Sequence, residues 1–167
     1  QLRLKREKEN RKIYIARRIS KICKRNKVKF LINDDPHLAL KVNADGCHLG
    51  QDDMNILMAR KLLKNKLIGI TCHNSIELSK KAFLNKANYI AIGAFYPTKT
   101  KKVIYKATIR TLKKVRKLFN LPIVAIGGIN EKNYQNLLFN NADFLAISSY
   151  IWKNKKYEPK QAIENLK

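Results

Sequence analysis

The sequence predicts a parallel α/β fold: buried strands joined by crossover helices, in a sheet left open or closed into a TIM-type (β/α)8 barrel. Two observations carry that prediction. Short apolar runs of strand length alternate with amphipathic helical patterns along the whole chain. Successive run centres lie roughly 16 to 34 residues apart, which leaves room for one helix in each connection.

In chain order, residues 1–5 (QLRLK) read as the tail of a strand. Ile15, Ile19, Ile22 and Cys23 then share one helical face, at i, i+4, i+7 and i+8. Residues 29–33 (KFLIN) form an apolar run bounded by polar residues, as expected of a strand buried on both faces. Residues 45–49 (DGCHL) make a weaker strand. Met54, Leu57, Met58 and Leu62 form the next helical face, with both methionines expected in the core. Strand 67–71 (LIGIT) leads to a helix with Asn74 as its expected N-cap and Glu77 three residues on, a capping-box spacing. Strand 88–93 (NYIAIG) precedes a helix built on Ile109, Leu112, Val115 and Leu118. Strand 122–126 (PIVAI) leads to Asn130, the expected cap of a helix carrying Leu137 and Leu138. Strand 143–148 (DFLAIS) comes before a basic turn at 153–160 and a last short helix, with Trp152 expected to pack. No linker is visible, so residues 1–167 are expected to form one barrel domain. Six strands and an opening stub fall short of the eight a barrel needs. The barrel is therefore expected to be N-terminally incomplete, with its first strand among roughly 20 to 40 residues that precede Gln1.

Composition narrows the function. A hydrophobic fraction of 45% with 29% charged residues belongs to a chain that can bury a core. No apolar run approaches the roughly 20 residues needed to cross a bilayer, and the first residues show no signal-peptide pattern. Cys23, Cys47 and Cys72 are odd in number and lack C-x-x-C spacing. That argues against a disulfide framework or a zinc site, and for a reducing cytoplasm. The net charge of +24 would suit a nucleic-acid binder. However, the lysines spread over every segment, and Phe30, Tyr89 and Phe144 fall in strands expected to be buried, leaving no stacking platform. The charge reads as a solvated surface whose field favours small phosphate esters, and neither nucleic acid nor membrane is expected as a partner.

In parallel β/α folds ligands bind at the carboxyl ends of the strands. Those positions here hold Gln1, Arg3 and Lys5; Asn33 and Asp34; Gly50, Gln51, Asp52 and Asp53; Thr71, His73 and Asn74; Thr98, Thr100 and Lys101; Gly127 and Gly128; and Ser148 and Ser149. Asp34 and Asp53 end successive strands, so their carboxylates can converge on one Mg²⁺, which takes one or two carboxylates and fills its octahedron with water and phosphate. The competing explanation is helix capping, by Asp34 or Asp35 before Pro36 and by Asp52 or Asp53 before Met54. Arg3, Lys5 and Lys101 could clamp a pyrophosphate, and the paired glycines would let backbone N–H groups approach an anion. His73 could be an acid or base, or simply hydrogen-bonded; His48 and His37 read as structural, and Cys47 and Cys72 as buried thiols.

The segments QLRLK, LINDD, ADGCHLGQDDM, IGITCHN, NYIAIGAFYPTKTK, VAIGGIN and LAISSYI resemble, in order, the thiamine phosphate synthase (thiamine-phosphate pyrophosphorylase) family. The resemblance implies a (β/α)8 barrel transferase that couples hydroxymethylpyrimidine diphosphate to thiazole phosphate, releasing pyrophosphate with Mg²⁺ assistance. It implies that Gln1, Arg3, Lys5, Asn33 and Lys101 hold the aminopyrimidine diphosphate, with Arg3, Lys5 and Lys101 acting on the leaving group. It also implies Asp34 and Asp53 as Mg²⁺ ligands, and Thr98, Thr100, Gly128, Ser148 and Ser149 around the thiazole phosphate. Thr71, at the pyrimidine, stands where the family usually has serine, and the segment after Lys101 is shorter and richer in lysine than the family's loop. Three alternatives remain in view: a thiazole tautomerase-like relative using a histidine near His73, a basic nucleic-acid-binding protein, and an inactive fragment. The acid pair and the Q-x-R-x-K run favour the synthase over the tautomerase, which needs neither metal nor pyrophosphate.

Overall fold

The computed structural model describes residues 1–98 and 104–166, and its contacts divide the chain into two compact units. Gln1–Thr71 with Asn85–Asn88 form the first, Cys72–Leu84 with Tyr89–Lys167 the second.

In the first unit the order is α1 (Glu9–Arg25), β1 (Leu31–Asn33), α2 (Pro36–Lys41), β2 (Gly46–Leu49), α3 (Ile56–Leu63) and β3 (Leu67–His73), whose last two residues belong to the second unit. The strands pair in parallel, with Asn33 opposite His48 and Leu49 opposite Ile70. The expected strand tail at the start of the chain lies along β1: Leu2 bridges Ile32 in parallel, donating to the Leu31 carbonyl and accepting from the Asn33 N–H. The second unit runs α4 (Ile76–Leu84), β4 (Tyr89–Gly93), α5 (Ile109–Leu118), β5 (Ile123–Ile126), α6 (Tyr134–Phe139), β6 (Phe144–Ala146), α7 (Ser149–Trp152) and α8 (Pro159–Glu164). Its strands are also parallel, with Gly93 opposite Ile126 and Ile126 opposite Ala146. Ile32, Cys47, Leu49 and Ile68 are fully buried in the first unit, and Ile90, Ile92, Ile123 and Ala125 in the second, as strands covered on both faces require.

Three strand starts carry the same device. The Phe30 N–H donates to the Asp45 carboxylate at 2.9 Å while the Phe30 carbonyl accepts from the Asp45 N–H at 2.9 Å. Ile68 and Asn88 exchange the same two bonds, both at 2.8 Å, and so do Ile123 and Asp143, at 2.7 and 2.9 Å. A cation backs each acceptor: Lys29 on Asp45, Arg60 on Asn88 and Arg116 on Asp143.

Several sequence expectations are corrected. The buried face of α3 is Ile56, Ala59 and Leu63, whereas Leu57 and Met58 are exposed, because the helix begins only after Asn55, whose side chain caps it by accepting from Leu57 N–H. On α1 only Ala16 is fully buried and Ile22 faces solvent; on α5 Leu112 and Val115 are buried and Leu118 is not. α4 is capped by Ser75, whose hydroxyl accepts from Leu78 N–H, while Asn74 turns its carbonyl oxygen to Thr108 N–H. Asn130 closes the turn before α6, binding Lys132 N–H, instead of capping the helix. Phe144 and Trp152 are exposed, since no described element covers them.

Asp45→Ala leaves the Phe30 N–H without its acceptor and should cost about 2 kcal/mol of unfolding free energy, measured by urea denaturation. Asp45→Asn, which reproduces what Asn88 already does, should cost about 1 kcal/mol or less. The Phe30 N–H, aided by Lys29, holds the Asp45 carboxyl below its ordinary value of 3.8. The charged clasp therefore contributes fully above that pH and is lost as pH falls further, so the asparagine variant should match the unaltered chain in strong acid.

Candidate active site

In the first unit the backbone separates the two neighbouring acids that follow β1. Asp34 adopts φ 68°, a left-handed conformation that costs of order 1 kcal/mol for a side-chain-bearing residue and that Asp tolerates better than most. Its N–H is held by the His48 carbonyl at 2.8 Å and its carboxylate by the Lys5 ammonium at 2.6 Å. Asp35 does the capping, accepting from Leu38 N–H at 2.8 Å with Pro36 at the first helical position. The capping explanation thus applies to Asp35 and not to Asp34.

Asp53 is not a helix cap either. Its carboxylate closes a tight turn by accepting from Gly50 N–H at 2.6 Å. Loss of hydration raises the Asp53 carboxyl above its ordinary value, against the opposing pull of the Gly50 N–H; the Asp34 carboxyl, within hydrogen-bonding reach, raises it further, and Lys5 lowers it. The structure therefore brings Asp34 and Asp53 side by side, with Lys5 within the field of both. Two adjoining carboxylates are a donor set suited to Mg²⁺; among the described residues there is no cluster of three or more His, Cys, Asp or Glu that could hold a metal.

Gln1, Arg3 and Lys5 are exposed while Leu2 and Leu4 are half-buried, so the period of two along an extended segment puts the three polar side chains on one face. Gln1 donates to the Asn33 side-chain oxygen at 3.0 Å. The Asn33 amide nitrogen is buried without an acceptor, a donor left over once its oxygen has taken Gln1. Thr71, near the end of β3, has its hydroxyl 2.8 Å from His48 Nε2 and its carbonyl bonded by the Gln51 side-chain amide. These two partners are what the sequence reading missed. It treated His48 as structural and Gln51 only as part of a strand end. The available signal was that a histidine inside a wholly buried strand needs a polar partner.

In the second unit Thr98 is half-buried. Gly127 and Gly128 have φ 104° and 65°, and a Cβ on Gly128 would run into the backbone of Tyr96 and Pro97. The loop is tied by Tyr96 N–H to the Gly127 carbonyl and by the Asn133 amide to the Gly128 carbonyl, each at 3.1 Å. Ser149 begins α7, and Ser148 immediately before it is exposed. Thr100 and Lys101 lie outside the described residues. The His73 ring packs against Tyr105, centroids 4.5 Å apart. Cys47 and Cys72 are fully buried and burial pushes both thiols up to about 12. A groove of about 350 Å³ on α1, lined by Tyr14, Arg17, Arg18 and Lys21 among others, includes none of the predicted site residues. No helix among the described residues is long and apolar enough to cross a membrane.

Comparison with known proteins adds the following. Residues 1–151 match the family described as thiamine monophosphate synthase (TMP-TENI). Over 167 residues the chain is 62% identical to a thiamine-phosphate synthase of Pelagibacter ubique, covering all of this chain and 81% of that protein. It is 37% identical over 153 residues to one from Nitrosomonas eutropha, covering 91% of this chain and 72% of the other. Among solved structures it is similar to a thiamine phosphate pyrophosphorylase from Pyrococcus furiosus, with TM-score 0.88 and 29% identity, covering 98% of this chain and 77% of that one.

Keeping the Asp53 carboxylate partly out of water, beside a second acid, works against the fold. Because the folded-state pKa of Asp53 is raised, its ionisation destabilises the native chain progressively as pH rises above the ordinary 3.8. Asp53→Asn keeps the oxygen that binds Gly50 N–H and should raise Tm at pH 7 without added metal by about 2 °C. The gain should vanish below pH 3.8, where both forms are neutral; a lower Tm for the variant at pH 7 would contradict this account.

Proposed function

This chain belongs to the thiamine monophosphate synthase family, and from that premise we propose that it is a thiamine-phosphate synthase. It is a transferase that joins hydroxymethylpyrimidine diphosphate to thiazole phosphate with loss of pyrophosphate. The activity is supported by 62% identity over all 167 residues to a protein of that name. The observation that carries the chemistry is the convergence of Asp34 and Asp53 beside Lys5 and Asn33. A TIM-type (β/α)8 barrel, to which the described residues contribute six strands, is the fold we propose, supported by the β/α alternation and the TM-score of 0.88. A cytoplasmic site of action is proposed on the three free cysteines.

In the reaction the bond from the pyrimidine's exocyclic methylene to the diphosphate oxygen breaks, and the oxygen leaves with the electron pair. The lone pair of the thiazole nitrogen forms the new carbon–nitrogen bond. Asp34 and Asp53 would hold Mg²⁺, and when bound that ion offsets charge developing on the departing diphosphate. Arg3 contributes forked hydrogen bonds to the same oxygens, and Lys5 and Lys101 point charges. Asn33, steadied by Gln1, offers its free amide donor. Thr71 meets the pyrimidine. Gly128 and Ser149, with Thr98, Thr100 and Ser148, grip the phosphate of the thiazole. This scheme needs neither a strong base nor a covalent nucleophile, so these residues act by orienting the substrates and neutralising the leaving group.

Incubation of the chain with both substrates should give thiamine phosphate and pyrophosphate with Mg²⁺, and neither when the metal is chelated. Asp53→Ala should lower kcat by about 10²–10³-fold, the loss typical of removing one preorganised transition-state contact. Undiminished coupling in that variant would refute the metal assignment.

A further inference from the structure

We propose that His48 is a positioning residue for Thr71: its imidazole fixes the threonine hydroxyl in the orientation that meets the aminopyrimidine ring. This rests on the activity proposed above and on Thr71 as a pyrimidine contact, and it gives a task to a side chain that the family resemblance leaves unassigned.

His48 is the third residue of β2 and only 7% exposed. An imidazole taken out of water must find polar partners or lose free energy. Its Nε2 meets Thr71 Oγ1 at 2.8 Å, while the Thr71 carbonyl takes the amide of Gln51 from the loop after β2. The hydroxyl and the carbonyl of Thr71 are therefore both tied to one neighbouring segment. β-Branching leaves a threonine few χ1 wells, and one hydrogen bond to Oγ1 selects among them. A hydroxyl offers one proton and two lone pairs. The imidazole uses one of the three, and the others stay available in directions that the bond has fixed. Serine, usual in the family at this position, would turn more freely about χ1. Here threonine narrows the choice and His48 makes it.

If His48 were no more than a core histidine satisfied by a convenient hydroxyl, its loss would lower stability and leave substrate affinity alone. Steady-state constants for hydroxymethylpyrimidine diphosphate, at saturating thiazole phosphate and Mg²⁺, separate the two cases when combined with Tm. Thr71→Val, which removes the hydroxyl and keeps the shape, should raise KM about tenfold with kcat within about threefold, as loss of a uniform binding contact does. His48→Ala should also raise KM, and the double variant should be no worse than Thr71→Val alone, because the imidazole acts through the missing hydroxyl. His48→Asn, polar but too short to reach Oγ1, carries the same cycle if the alanine variant fails to fold. His48→Gln, whose amide extends as far as Nε2, should bring KM back to within about threefold of the unaltered chain. KM effects that multiply in the double variant, or an unchanged KM in Thr71→Val or in a folded His48 variant that cannot reach Oγ1, would overturn the proposal. An unaltered chain that makes no thiamine phosphate at all would sink the proposed activity, and this inference with it, a result distinct from multiplying losses in a working enzyme.

Discussion

Parallel strands joined through helices have no hairpin to set their register, and a slip of one residue would turn every side chain to the opposite face. In this chain the reciprocal clasps of Asp45, Asn88 and Asp143 supply that constraint at the strand starts. The strands are short, between three and seven residues, so fixing one end fixes the other. Asn33 opposite His48 in the first unit, and Ile126 opposite Ala146 in the second, are consequences of that pinning. The acids and amides beyond those pairs inherit their positions from it. The two ends of the strands thus carry different kinds of polar residue. Acceptors at the starts are matched to backbone donors and cations, while at the finishes Asp34 and Asp53 face each other and Asn33 keeps an unmatched donor.

Much of this was legible in the sequence because it depends on period and residue type. All six strand runs, the alternation of Gln1, Arg3 and Lys5, and the neighbouring placement of Asp34 and Asp53 are of that kind. The division of labour between adjacent acids was not legible. Asp34 and Asp35 are chemically alike, and only a left-handed turn at one of them decides which caps the helix and which remains for the site. Helix faces were blurred for a related reason. Apolar residues on α3 satisfy two overlapping i, i+3/i+4 stripes, and the actual start of the helix selects Ile56, Ala59 and Leu63 over Leu57 and Met58. Exposure of Phe144 and Trp152 depends on what lies across from them, which no local pattern encodes. A histidine within a strand looks the same in sequence whether it fills space or directs a neighbour, which is why His48 reads there as structural.

The site also shows where this fold accepts local cost. A left-handed aspartate, a second aspartate with its carboxyl raised, and a buried amide without an acceptor lie together in the first unit. Each is unfavourable in isolation; a cation would relieve the raised carboxyl of Asp53 and an acceptor the amide of Asn33. The rest of that unit shows the opposite tendency, with Arg60 alone satisfying the carbonyls of Lys64, Lys66 and Lys86 along with the Asn88 side chain.

The burial of Cys47 and Cys72 has a chemical consequence. Cys47 also lies in the negative field of Asp35, Asp34 and Asp53, which discourages its thiolate beyond what burial does. Peroxides and soft electrophiles react with thiolates, and at neutral pH these two sulfurs supply almost none. A soft electrophile directed at the candidate site would therefore meet no ready thiolate in Cys47 or Cys72.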